Sequence, residues 1–221
     1  MRKALRWAVS GALVLAAATG CSNESDKGPD GLSASQVCDG TLTASAAAAL
    51  ERIGDTDRFT ELTGTNDIGD PNKFSVKLAA KRLHDERGQR GQCNLYKVGN
   101  DSGYPLMVID FEPVAKHPDS EKAKKNMDRD EIVFPLGLFA YTAGDNGAYL
   151  YFSCPTEGPE GKTPYVKADM YTSKGQMNAD STGKDRMTIL NAVSRGLAKE
   201  LGCAAQAQLP AEVPAATSGG T

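Results

Sequence analysis

Residues 132–154 read IVFPLGLFAYTAGDNGAYLYFSC, and this stretch decides the architecture. Two apolar, aromatic runs, Ile132 to Thr142 and Ala148 to Cys154, flank Asp145-Asn146-Gly147. An Asn-Gly step adopts positive φ readily, so these three residues predict a hairpin joining two antiparallel strands. The second run alternates: Ala148, Leu150 and Phe152 fall on one side, Tyr149 and Tyr151 on the other. A period of two places the two sets on opposite faces of a sheet. Pro135 and Gly137 interrupt the first run, which predicts an edge or bulged strand.

Moving outward, Tyr165 to Thr172 alternates again, with Val166, Ala168 and Met170 opposite Tyr165, Lys167, Asp169 and Tyr171. Cys93 to Val98 and Leu106 to Phe111 do the same around a turn in Gly99 to Gly103. Three segments carry a helical period instead. Ala44 to Ile53 follows Thr41 or Thr43 as cap and precedes Gly54, suited to a left-handed exit. Phe74 to Arg87 places Val76, Ala79, Ala80 and Leu83 on one stripe. Asp185 to Leu201 aligns Met187, Leu190, Val193, Leu197 and Leu201, with Ser181 or Thr182 as cap.

Lys116 to Glu131 is dominated by charge and reads as a long solvated loop or a short exposed helix capped near Asp119 or Ser120. Lys122, Lys124 and Lys125 could meet anionic lipid, but Asp119, Glu121, Asp128, Asp130 and Glu131 nearly cancel them. The order of helices, strands and a final helix predicts an α+β fold. We expect an antiparallel sheet of about five strands, with N-terminal helices and a C-terminal helix packed on it.

The chain begins with Arg2, Lys3 and Arg6, then an uncharged run from Ala8 to Thr19, then Ala18-Thr19-Gly20-Cys21. These are the parts of an export signal, and the apolar run is far short of the roughly 20 residues that cross a bilayer. The tetrapeptide resembles a bacterial lipobox. That resemblance implies a diacylglyceryl group on Cys21, cleavage after residue 20 and retention at the extracytoplasmic face of the cell membrane. A second acyl chain makes such an anchor stable. Residues 21–36 are expected to be a flexible tether, 37–203 a single domain and 204–221 a disordered tail.

Apart from Cys21, the cysteines are Cys38, Cys93, Cys154 and Cys203, an even number in an exported chain, which predicts two disulfides. Three connectivities are possible. Cys38 with Cys93 and Cys154 with Cys203 is favoured, because each pair would fasten a terminal helix to the sheet. With Cys38 ahead of the first helix, Cys93 opening a strand, the Asn146-Gly147 hairpin and a terminal helix ending at Cys203, the chain resembles small actinobacterial lipoproteins of unknown function. Several of these look like PsbP-type α/β/α sandwiches. The resemblance implies fold and location, and no catalytic residues.

Removing the three signal-segment cations from a formal net charge of −3 leaves −6, which disfavours nucleic acid as a partner. Composition is that of an ordinary globular domain, at 40% hydrophobic and a mean hydropathy of −0.40. Ser181-Thr182-Gly183-Lys184 satisfies S-x-x-K, but no K-T-G or S-x-N companion follows. Asn178, Asp180 and Thr182 imitate a calcium loop whose closing acid is Ile189. His84 and His117 lack partners at metal-ligand or triad spacing and read as exposed structural residues. No metal, cofactor or catalytic residue is therefore expected.

Tyr141, Tyr149, Tyr151, Tyr165 and Tyr171 remain as a possible ligand surface, because tyrosine combines apolar area with a polar tip. The expected function is a non-enzymatic binding or accessory domain held to the membrane by lipid on Cys21. Its partner would be an envelope protein, peptide, lipid or glycan. The alternatives are an extracytoplasmic hydrolase of envelope polymer and a structural envelope component.

Overall fold

The computed structural model describes residues 31–67, 69–125, 128 and 130–217. The signal segment, Cys21, residues 22–30 of the expected tether and the last four residues of the expected tail lie outside them. Seven strands form one sheet: β1 (Phe59–Glu61), β2 (Cys93–Lys97), β3 (Met107–Val114), β4 (Glu131–Phe134), β5 (Phe139–Ala143), β6 (Gly147–Gly158) and β7 (Gly161–Thr172). Their spatial order is β1-β2-β3-β7-β6-β5-β4, and every neighbouring pair is antiparallel. The expected class is present, with seven strands where about five were expected.

Two causes account for the difference. β1 is only three residues long, too short for its alternation to be read from the sequence. The run Ile132 to Thr142 is two strands, because the chain reverses between Phe134 and Phe139 and β4 pairs with β5. Gly137 makes that reversal possible: it sits at φ +57°, and an added Cβ would fall 2.5 Å from the Tyr151 carbonyl. The hairpin after β5 forms, but its left-handed residue is Gly144 at φ +54°, not Asn146 or Gly147. Asn146 instead has its carbonyl fixed by Thr172, which donates from both its amide and its hydroxyl. β6 and β7 extend well past the expected ends, with a register irregularity between Ser153 and Thr156 that accommodates Pro155.

The helices are α1 (Ala44–Gly54), α2 (Val76–Lys81), α3 (Ser120–Lys125), α4 (Gly183–Glu200) and α5 (Ala204–Ala207). Thr43 caps α1 by accepting from the Ala46 amide, and the left-handed exit is Asp55 rather than Gly54. α2 stops at Lys81, well before Arg87. There the buried Arg82 side chain pairs with Asp70 and donates to the Gln89 carbonyl, and the chain leaves helical geometry to reach them. α3 is the short option for the charged segment, with Asp119 accepting from the amides of Glu121 and Lys122. α4 opens with a reciprocal cap between Thr182 and Asp185.

α1 lies against α4, and α4 against β5, β6 and β7. Leu50 and Ile53 of α1, Leu190 and Val193 of α4, and Leu150 and Phe152 of β6 are fully buried in the common core. Disulfides Cys38–Cys93 and Cys154–Cys203 fasten the sheet to the segments before α1 and after α4. Each closes a loop of roughly 50 residues, for which chain entropy suggests about 4 kcal/mol.

The folded unit is larger than 37–203 at both ends. Residues 31–36, expected in the tether, belong to the folded unit: Leu32 exchanges both backbone hydrogen bonds with Phe59 at 2.8 and 2.9 Å, and Ala34 is fully buried. Residues 204–217 were assigned to a loose tail. They form α5, bury Ala207 and Val213, accept from Asn191 at the Pro210 carbonyl, and donate from Thr217 to the Val133 carbonyl. An Ala- and Pro-rich composition concealed a few apolar residues that suffice to seat the segment. The two termini thus cover the outer strands β1 and β4, the positions where a sheet is open to unwanted pairing.

Candidate functional site

Alternation fixes which side chains share a face. Ala148, Leu150, Phe152, Val166, Ala168 and Met170 point into the core beneath α4. Tyr141, Tyr149, Tyr151, Tyr165 and Tyr171 all stand on the opposite face, as register shows: Tyr141 is opposite Tyr149, Tyr149 opposite Asp169, and Tyr151 opposite Lys167. Phe139, opposite Tyr151, joins them.

The five tyrosines do not form one cluster. Tyr141 and Tyr149 stack with ring centroids 4.8 Å apart, and Phe139 lies 5.3 Å from Tyr141. Tyr151 stands beside Tyr149 on β6. Tyr165 is elsewhere, edge-on to His117 at 4.8 Å. Tyr171 is six residues along β7 from Tyr165, a separation of about 20 Å, and is 54% exposed. The aromatic centre therefore consists of Phe139, Tyr141, Tyr149 and Tyr151.

Beside it runs a ladder of charge. Lys167 donates to Glu112 at 2.7 Å, lies 3.8 Å from Asp169, and has its Nζ 5.8 Å from the Tyr149 ring centroid. Arg90 continues the ladder to Asp110 at 2.9 Å and to Glu112 at 3.6 Å. Asp110 and Asp169 are direct cross-strand neighbours. Burial pushes both carboxyls above their ordinary values, against the pull of Arg90 and Lys167 respectively. Glu112 goes the other way, because its bond to Lys167 and the charges of Lys167 and Arg90 outweigh its burial. Burial, with the neighbouring tyrosines and Glu131, drives the Tyr141 phenol well above its usual value. Tyr151 is raised by burial, Lys167 opposing. Both present neutral hydroxyls at physiological pH.

The ladder was not singled out in the sequence. Asp110, Glu112, Lys167 and Asp169 occupy outward positions of alternating strands, but the strand order that makes β3 and β7 neighbours is a property of the assembled sheet.

The motifs weighed for chemistry resolve locally. Ser181 donates to the Met177 sulfur at 3.9 Å, not to Lys184, and Thr182 is the cap of α4. Asn178 accepts from the amide of Asp180 through its side chain. His84 and His117 are half-buried rather than exposed: His84 meets Thr156 at 3.0 Å, and His117 meets the Pro118 carbonyl at 2.9 Å. Among the described residues, the one group of side chains spaced to hold a metal is Cys38, Glu61 and Cys93, whose sulfurs are joined to each other. Glu61 accepts from the Cys38 amide at 2.8 Å, and burial raises its carboxyl. No helix among the described residues is long and apolar enough to cross a membrane.

No known family, curated protein or solved structure matches this chain. The reading of the site rests on its own chemistry.

Proposed function

We propose that this chain is a lipoprotein, acylated at Cys21 and held at the extracytoplasmic face of the membrane, whose sheet face opposite α4 carries a binding surface. It acts as a non-enzymatic binding or accessory domain. The observation that carries this reading is the meeting of Phe139, Tyr141, Tyr149 and Tyr151 with the Lys167–Glu112–Asp169 ladder on one face. Flat apolar rings beside fixed donors and acceptors suit a ligand with apolar faces and polar edges, such as an envelope glycan or peptide. Similarity to actinobacterial lipoproteins, and to their PsbP-type members, is part of the same proposal.

Two measurements test it. Mass spectrometry of the membrane fraction should find Cys21 diacylated at a new N-terminus, and an unmodified Cys21 would remove the anchor. Affinity capture from intact membranes with the lipidated chain should lose its partner when Tyr149 and Tyr151 are both changed to alanine. An unchanged captured set would show that the face is not the surface used.

The second reading is a hydrolase of envelope polymer, for which Asp169, partly exposed beside Lys167, is the reachable carboxyl, its cross-strand neighbour Asp110 being buried against Arg90. Asp169→Asn would abolish polymer cleavage under that reading and leave ligand capture to the tyrosines under the first.

A further inference from the structure

A separate cavity of about 610 Å³ opens at the N-terminal end of α4, with Arg186, Gly183 and Ser181 from the helix end and Ile132, Met177 and Lys174 around them. The volume lies within the range of small-molecule sites, about 300–1,000 Å³. Arg186 is the unusual member. It is 3% exposed, its Nη2 donates to the Gly144 carbonyl at 2.9 Å, and its Nε has no acceptor. The acids nearest to it are engaged elsewhere: Asp185 by Arg52 and the Thr182 cap, Asp145 by Lys174 at 3.2 Å. Among the described residues no carboxylate reaches it within ion-pair distance, Asp145 and Asp185 attracting it only from farther off, and the cavity beside it has room for an anion. Burial also pushes the guanidinium pKa down, against the pull of Asp145 and Asp185.

The helix end adds donors. The reciprocal cap uses the amides of Thr182 and Asp185, while that of Gly183, which lines the cavity, is a first-turn amide with no intrahelical acceptor. Ile132 and Met177 give the cavity an apolar wall, and Asp130 and Asp145 at its rim disfavour anions of more than one charge. We propose that the cavity binds a small organic monocarboxylate, its oxygens on Arg186 and the Gly183 amide and its short hydrocarbon chain against Ile132 and Met177. This site is independent of the tyrosine face.

The test is an NMR titration of the ¹⁵N-labelled full chain in detergent with butyrate, inorganic phosphate and butanol as probes. Butyrate should bind saturably and shift the Arg186 Nε–H together with the Gly183 amide, phosphate should bind at least about tenfold more weakly, and butanol should leave those signals in place. Arg186→Met should weaken butyrate by about tenfold or more, with a lower thermal midpoint because the Gly144 carbonyl loses its donor. Should that variant fail to fold, the wild-type titration decides alone. Stationary Arg186 and Gly183 signals through the millimolar range, phosphate equal to butyrate, or unaltered binding by a folded Arg186→Met chain would each overturn the assignment.

Discussion

The two faces of β6 and β7 differ in what their side chains are asked to do. On one, Leu150 and Phe152 are fully buried beneath α4, and each such side chain contributes about 1.5–3 kcal/mol by leaving water. On the other, one residue along the same backbone, Tyr149 and Tyr151 keep part of their area in solvent, and Tyr149 meets Tyr141 and a lysine. A stacked aromatic pair adds about 0.5–1.5 kcal/mol, and the largely buried ladder beside it repays in Coulomb attraction much of what its charges lose in leaving water. The helix-covered face therefore holds the fold, and the open face has chemistry that the fold does not need in that amount.

The sharpest way to break this contrast is to truncate one residue on each side. Leu150→Ala should cost about 2–5 kcal/mol of unfolding free energy, measured by urea denaturation, with the spread set by how far α4 can collapse into the space. A loss below about 1 kcal/mol would mean that the covered face is not the core of the domain.

Next in size is Asp185, which caps α4 and accepts from Arg52. Asp185→Ala should cost about 1–2 kcal/mol at neutral pH. Burial raises its carboxyl, but the bonds from Arg52 and Thr182 outweigh burial and hold it below the usual carboxylate range. The stability it contributes is present above its unfolded value of about 3.9 and is lost as pH falls through the lower folded value. Wild type should therefore destabilise more steeply than Asp185→Asn in that acid window, and parallel acid limbs would contradict the assignment.

On the open face, Tyr149→Ala should cost only about 0.5–1.5 kcal/mol, the stacking contribution, while removing ligand capture. A penalty as large as that of Leu150→Ala would place Tyr149 in a second core. The smallest effect belongs to Asp169, whose carboxyl is raised by burial. Its contribution is greatest below the unfolded value of about 3.9 and declines as pH rises through the raised folded value. Asp169→Asn should remove that decline from a urea series run between pH 4 and 7, and an unaltered slope would show that Asp169 is not desolvated in solution.

The part of this contrast legible in the sequence is the part that depends on local period. Alternation in Ala148 to Cys154 and in Tyr165 to Thr172 separated the two faces, and the stripe of α4 and its Thr182 cap followed from spacing and capping chemistry. The pairing of Cys38 with Cys93 and of Cys154 with Cys203 matched the favoured connectivity because those cysteines end elements that pack together. What local period could not reveal was long-range. The ladder from Arg90 to Asp169 exists because β3 lies against β7, some 60 residues away in the chain. The turn at Gly137 depends on the close approach of the Tyr151 carbonyl, and α2 ends where Arg82 finds Asp70. The Arg186 cavity likewise draws on three separated stretches of sequence.

The bridge between Leu32 and Phe59 gives the molecule a direction. Eleven peptide units from Cys21 to Leu32 span at most about 40 Å, and they leave from the β1 margin of the sheet. With a lipid at residue 21, that margin becomes the root. Four and five strand spacings farther on, about 19 and 24 Å, lie β6 and β5, so that a lipid at residue 21 would leave their rings clear of the point of attachment.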